Sequence, residues 1–253
     1  MLMAAKVRLD RLLVGRGLVV SRERAHALVL AGKVLVNEQK VEKAGALVDP
    51  AADVRILGED LKYVSRGGVK LERALEHWHI GVRGRVCMDV GTSTGGFTDC
   101  LLQHGAARVI AIDTGYGQIA HRLRQDPRVR LLERTNARYL KPEDVGEPVD
   151  LVAVDVSFIS ATLVLPAVVR AARGEAHRWL ELVVLVKPQF EAGREAVGKG
   201  GIVRDAQAQA QAVEKVRAAL LELGAARTDS IDSPILGVEG NREFLLHAVF
   251  ENL

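Results

Sequence analysis

The chain is 253 residues long, 48% apolar and 26% charged, with a formal net charge of +3. That length accommodates a sizeable core and a small second domain, and that apolar fraction excludes an intrinsically disordered chain. The longest apolar runs, such as Leu151–Val154 and Leu182–Val186, are of strand length, far from the roughly 20 residues of a membrane span.

The segment Met1–Asp10 lacks the apolar stretch of a signal peptide. Cys87 and Cys100 are too few for a disulfide framework and fit a reduced, cytoplasmic compartment. Residues 1–66 carry twelve Lys and Arg against eight Asp and Glu, a local balance of +4 that leaves the remainder near neutral. Within this part, Arg8–Arg16 has helical apolar spacing and stops at Gly17. Ser21 is a suitable N-cap for a second helix over 21–31 that stops at Gly32. Val34–Val36 and Lys40–Val41 flank a turn at 37–39, and a further strand is expected over 54–57. Arg8, Arg11, Arg16, Arg22, Arg24 and Lys33 lie on or beside the helical pair.

The first domain is expected over 1–61. A linker follows over 62–66, the last part of Glu59–Arg66, and then a second domain over 67–253. In the latter, Gly67-Gly68 lead into a helix over 69–78. Strands are then expected at 86–90, 108–113, 129–132, 151–156, 182–187, 228–233 and 243–250. Helices are expected at about 96–104, 117–125, 161–172 and 205–223, the last opening on an exposed Ala/Gln run. This alternation predicts an α/β fold with a doubly wound, seven-stranded, mostly parallel sheet. The last two strands have no helix between them, so the final one is expected to be antiparallel.

The turn Asp89-Val-Gly-Thr-Ser-Thr-Gly-Gly-Phe97 joins a strand to a helix, a place where a ligand can lie against bare backbone. Its glycines at 91, 95 and 96 do not make the dinucleotide spacing. Gly91-Thr-Ser93-Thr-Gly95 formally matches a hydrolase elbow, with Asp232 and His247 following in order, yet it sits after the first strand, too early for that fold. The third reading is S-adenosylmethionine. It places Asp89, Gly91, Ser93, Thr94, Gly95, Gly96 and Phe97 at the methionine end. Asp113, ending the next strand, accepts the ribose hydroxyls, and Asn136 meets the adenine or caps a helix.

Lys70, Asp155, Lys187 and Glu239 are the candidate catalytic residues. The last three stand at or after strand carboxyl ends, where open α/β sheets place ligands. A lysine ending an apolar strand is costly to desolvate and needs either a partner such as Asp155 or a chemical task. One such task is to take the proton of a ribose 2′-hydroxyl or to steer its oxygen.

Two resemblances cover nearly the whole chain. Arg8-Leu-Asp-x-x-Leu, Ser21-Arg-x-x-Ala and Gly32-x-Val-x-Val-Asn37 resemble the S4 RNA-binding domain, which implies that the six basic residues meet RNA phosphates. The order Lys70, Asp155, Lys187, Glu239 resembles the FtsJ-like ribose 2′-O-methyltransferases, with their Rossmann-like class I fold. Arg66-Gly-Gly-Val-Lys70-Leu, Asp89–Asp99, Val154–Ser160 and Leu185–Glu191 together resemble the TlyA family. That family implies 2′-O-methylation of cytidine in ribosomal RNA within ribosomal subunits, without a metal or a membrane. The compact chain is most similar to the members that act on large-subunit RNA alone. Haemolysin is another label within the family, so membrane lysis and non-catalytic RNA binding are the competing functions. Some members carry an arginine- and tryptophan-containing linker credited with coupling RNA to cofactor binding. Here Lys62-Tyr-Val-Ser65 takes its place, with Tyr63 as the candidate aromatic residue.

Overall fold

The computed structural model describes residues 6–19, 21–57, 62–174 and 179–251. The chain divides into two compact units, Met1–Leu61 and Lys62–Leu253.

The first unit contains β1 (Val7–Arg8), α1 (Leu9–Gly15), α2 (Arg22–Leu30), β2 (Val34–Val36), β3 (Gln39–Lys40), β4 (Leu47–Val48) and β5 (Val54–Ile56). Ser21 Oγ accepts the Arg24 amide at 3.2 Å and caps α2. The two helices are followed by Gly17 and Gly32 with φ of +68° and +65°, a conformation a β-carbon resists. Leu9, Leu13, Ala25, Leu28 and Val29 from the helices pack against Val34 and Val54 from the strands. The β2–β3 turn is tighter than expected. Asn37 and Glu38 alone form it, both with positive φ, while Gln39 already pairs with Val36. A two-residue hairpin of this kind matches the natural twist of its strands.

The second unit contains α3 (Gly67–His77), β6 (Val86–Val90), α4 (Gly96–Gln103), β7 (Arg108–Ile112), α5 (His121–Arg124), β8 (Val129–Leu132), α6 (Pro142–Val145), β9 (Leu151–Val154), α7 (Leu165–Arg173), β10 (Leu180–Val186), α8 (Pro188–Glu191), α9 (Ala206–Glu222), β11 (Arg227–Asp232) and β12 (Phe244–Phe250). The seven strands form one sheet in the order β11-β12-β10-β9-β6-β7-β8. β8, β7, β6, β9 and β10 run parallel, and β12 is antiparallel to both of its neighbours. Alternate residues of each strand serve opposite faces. Met88, Ile110, Val152 and Val184 pack with α7 and α9, whereas Cys87, Val109, Ala153 and Val183 pack with α3 and α4. Both faces are therefore dry, which explains the uninterrupted apolar strands.

Several expectations change. The helix expected over 117–125 is only the single turn α5. Gly117, with φ +72°, donates its amide to Glu133 Oε1 and holds the preceding stretch as a loop. The segment 161–172 splits into a 3₁₀ turn, Ala161–Leu163, and α7, with Pro166 in the first turn. The Ala/Gln run is not a wholly exposed helix start: Ala208 and Gln209 are buried, and Gln209 Nε2 donates to Val203 O at 2.8 Å.

Residues 62–66 are not a free linker but part of the second unit. Tyr63 is buried and its hydroxyl donates to Glu72 at 2.8 Å, while the Val64 amide donates to Asp99 at 2.8 Å. A β-carbon on Gly68 would overlap the Tyr63 ring. Tyr63 is thus an anchor under α3, not an aromatic surface. Residues 59–61 of the expected linker lie outside the described residues.

Candidate active site

The turn after β6 owes its shape to three residues with positive φ: Gly91 at +90°, Ser93 at +49° and Gly95 at +95°. A β-carbon on Gly91 would run into Asp155 O, so glycine lets the turn lie against the end of β9. At Gly95 the obstacle would be Leu123 Cδ1, and this glycine lines neither cavity described below. The missing β-carbon of Gly95 lets the turn pack on Leu123 of α5 and on Ile119.

Asp89 lies under the same turn. It is wholly buried beneath the turn and lines neither cavity. Its Oδ2 accepts the Thr98 amide at 2.9 Å and the Thr98 hydroxyl at 2.6 Å, bracing the first turn of α4 from below. Its Oδ1 has no hydrogen-bond partner among the described residues. Burial, opposed by the Thr98 bonds and reinforced by the charges of Asp155 and Asp113, pushes the carboxyl up to about 7.

At the carboxyl edge of the sheet lies a cavity of about 400 Å³ lined by Gly91, Ser93, Asp113 and Asn136, with Val156, Ile159 and Val164 as an apolar wall. Asp113 Oδ2 accepts the Ser93 amide at 2.7 Å and Oδ1 the Gly115 amide at 2.6 Å. Each oxygen keeps a second lone pair for a hydroxyl. Asn136 Oδ1 accepts the Arg138 amide at 3.0 Å and caps the turn that follows, and Asn136 also lines this cavity.

A second cavity of about 350 Å³ shares Gly91, Ser93, Asp155 and Ser157 with the first. Thr94, Gly96 and Phe97 of the turn line it, together with Lys70, Lys187 and Glu243. Lys187 Nζ stands 2.5 Å from Asp155 Oδ1, a charge contact outside hydrogen-bond geometry, and donates to Ser157 Oγ at 2.8 Å. Lys70, buried on α3, donates to Glu243 Oε2.

Glu243 therefore replaces Glu239 as the fourth charged residue. β12 pairs Phe244 with Val186, so the residue before Phe244 lands beside the end of the strand that carries Lys187. Glu239 is exposed in the preceding loop, near Gly201.

Two neighbours escaped the sequence reading. Ser157 receives the Lys187 ammonium. Phe158 lines the first cavity, is 92% exposed and has φ +64°. A bare aromatic ring on left-handed backbone is unusual for a non-glycine residue. The available signal was an apolar Phe-Ile pair between serines just after a strand end.

The elbow reading fails. His247 lies mid-strand, 3.1 Å from Glu181 Oε1 and stacked on Trp78, and Asp232 pairs with Arg242.

In the first unit, Arg8 and Arg22 both bind the buried Asp10, at 2.9 and 2.8 Å. The bonds from Arg8, outweighing burial, and then those from Arg22 hold the Asp10 carboxyl far below the usual range. Arg16 donates to Ala52 O and Pro50 O. Arg8, Arg11 and Arg16 line a basic hollow of about 670 Å³ with Lys6. Arg11 and Lys33 are exposed, while Arg24 is half-buried.

Among the described residues, no group of three His, Cys, Asp or Glu could hold a metal ion, and no helix is long and apolar enough to cross a membrane.

Residues 63–250 match the FtsJ-like methyltransferase model and residues 7–54 the S4 domain model. The chain is 49% identical over 245 residues to the 16S/23S rRNA (cytidine-2'-O)-methyltransferase TlyA of Mycobacterium tuberculosis, covering 96% of this chain and 90% of that one. The chain belongs to the TlyA family. A second relative, Hemolysin A of Brachyspira hyodysenteriae, is 38% identical across 96% of this TlyA-family chain and 100% of its own length. A solved structure from Streptococcus thermophilus, described as a hemolysin, superposes with a TM-score of 0.72 at 42% identity, covering 99% of this chain and 90% of that one.

Proposed function

We propose that this protein methylates the ribose 2′-hydroxyl of a cytidine in ribosomal RNA, using S-adenosylmethionine and acting on ribosomal subunits in the cytoplasm. The observation that carries this is the junction of the two cavities at Gly91, Ser93 and Asp155. One cavity has the donors, acceptors and apolar wall for a nucleoside. The other holds two lysines and two carboxylates.

The residues fit the cofactor. Asp113 has lone pairs for the ribose hydroxyls, Asn136 an amide for the adenine edge, and Val156, Ile159 and Val164 a dry wall for its ring. Gly91 lines both cavities, and its missing β-carbon lets the turn lie against the end of β9. When bound, S-adenosylmethionine supplies an electrophilic methyl group on a sulfonium.

In the second cavity, Lys70 and Lys187 hold the 2′-oxygen of the acceptor in line, and Glu243 and Asp155 orient and offset the two lysines. The Asp155 carboxylate, paired with Lys187, takes the hydroxyl proton as the new carbon–oxygen bond forms and the carbon–sulfur bond breaks, leaving a neutral thioether. Alignment contributes most, because both reactants are fixed on one rigid sheet edge. Phe158 offers an exposed ring on which a base drawn out of its stack can rest. Arg8, Arg11, Arg16, Arg22, Arg24 and Lys33 serve RNA phosphates.

The test is methyl transfer to ribosomal subunits that lack the modification, with the modified nucleotide mapped. Lys187→Ala is expected to abolish transfer while keeping the fold and cofactor affinity. Full activity in that variant, or no transfer by the parent protein, overturns the reading.

A further inference from the structure

The loop after Asp155 has an anchor outside the four charged residues. Glu191, the last residue of α8, follows Lys187 closely in the chain and is only 6% exposed. Its Oε1 accepts the Ala161 amide at 2.6 Å and its Oε2 the Ser160 hydroxyl at 2.5 Å. Lys215 of α9 stands 3.4 Å from Oε2 and also donates to Glu191 O at 2.9 Å. A carboxylate at this depth persists only when paired and hydrogen-bonded. Here its partners come from two other segments. One residue earlier, the Phe190 ring lies 5.5 Å from that of Phe158, tilted by 52°. Residues 190–191 therefore grip the loop 158–161 at both ends.

We propose that Glu191 is the positioning residue for the acceptor nucleotide. It fixes the loop carrying Ser157 and Phe158 onto the segment carrying Lys187, and so sets where Phe158 stands relative to the Asp155–Lys187 pair. Glu191 itself lines neither cavity and acts through that loop. Phe158 holds left-handed backbone in the open, a conformation that persists only where the surroundings impose it. The two Glu191 hydrogen bonds and the Phe190 ring are what impose it. This inference rests on the 2′-O-methyl-transfer reading.

The experiment uses the full chain with unmodified ribosomal subunits. Glu191→Ala is expected to raise KM for subunits about tenfold, with kcat and the cofactor Kd within about twofold. Glu191→Gln, which keeps the shape and the acceptor for Ala161, recovers most of that loss. In a Phe158→Ala background, the further effect of Glu191→Ala on kcat/KM shrinks below about twofold, because both act through one loop. Equal losses in both backgrounds, or parental kinetics in Glu191→Ala, overturn the proposal. If Glu191→Ala does not fold, Ser160→Ala takes its place in the same cycle: a loss that shrinks in the Phe158→Ala background supports the proposal, and equal losses or parental kinetics overturn it. If the parent protein transfers no methyl group, the functional reading fails separately. Amide exchange over 157–161 then decides the brace: faster exchange in Glu191→Ala supports it and unchanged exchange overturns it.

Discussion

Lys70 and Glu243, 173 positions apart in the chain, form a buried ion pair on the wall of the cavity that Lys187 and Asp155 also line. The pair joins the helix that enters the sheet to the foot of the last strand. Removing its acid strands a buried ammonium and frees a side chain that must be held still. Glu243→Ala is expected to slow methyl transfer by about 100-fold or more, with Glu239→Ala near the parental rate. Initial rates on unmodified subunits check this, and a loss confined to Glu239→Ala would reverse the assignment.

Phe158 presents its ring to solvent beside the cofactor cavity. Base stacking on an aromatic side chain contributes about 1–3 kcal/mol. Phe158→Ala should therefore lower kcat/KM for subunits by about tenfold or more, with Phe158→Trp close to parental. Steady-state kinetics with varied subunit concentration measure it. Equal losses in the alanine and tryptophan variants would exclude stacking.

Asp89 gives stability a pH dependence of its own. Its carboxyl is raised to about 7 in the folded protein, against 3.8 ordinarily. Between about pH 4 and 7 the unfolded chain has released a proton that the folded chain keeps, so this group's contribution falls as pH rises and its cost is complete above about 7. Asp89→Asn removes the titration. Urea unfolding of parent and variant is expected to show a difference that moves in the variant's favour from pH 4 to 7 and then levels off. A difference constant with pH would show that Asp89 does not titrate there.

Asp10 has the opposite sign. Arg8 and then Arg22 lower its pKa, so its contribution is complete above the ordinary aspartate range and is lost as pH falls through the folded value. Asp10→Asn should destabilise the first unit by about 2 kcal/mol, since hydrogen bonds to a charged group are lost in a buried place. The unfolding midpoint of that unit at neutral pH measures it, and an unchanged midpoint would show that the two arginines are held by other means.

The element order, the parallel core and the antiparallel last strand are legible in the sequence because apolar runs of strand length alternate with helical spacing. Lys70, Asp155 and Lys187 are legible because charge at an apolar strand end, or on the helix entering the sheet, has few uses. The acid partner of Lys70 is not. Glu239 and Glu243 share one loop, and only the pairing of Phe244 with Val186 brings the second into the cavity. Asp89 reads from sequence as a ligand for the cofactor because a strand-end acid before glycines can face either the ligand or the helix behind it. Its side chain shares the parity of Cys87 and turns toward α4, where Thr98 meets it. Phe158 escapes a reading of the sequence because its exposure depends on one residue's left-handed backbone, which no periodicity records.

β12 lies between β10 and β11 although it follows both in the chain. During synthesis, β6 to β10 and the turn after β6 emerge first, and β10 remains an edge with unpaired backbone groups until β12 arrives. Every residue that lines the first cavity is therefore made before Val238 and Glu243 of the second. The cavity that Lys70, Asp155 and Lys187 line is completed by Glu243 only when β12 pairs with β10 and closes that edge of the sheet.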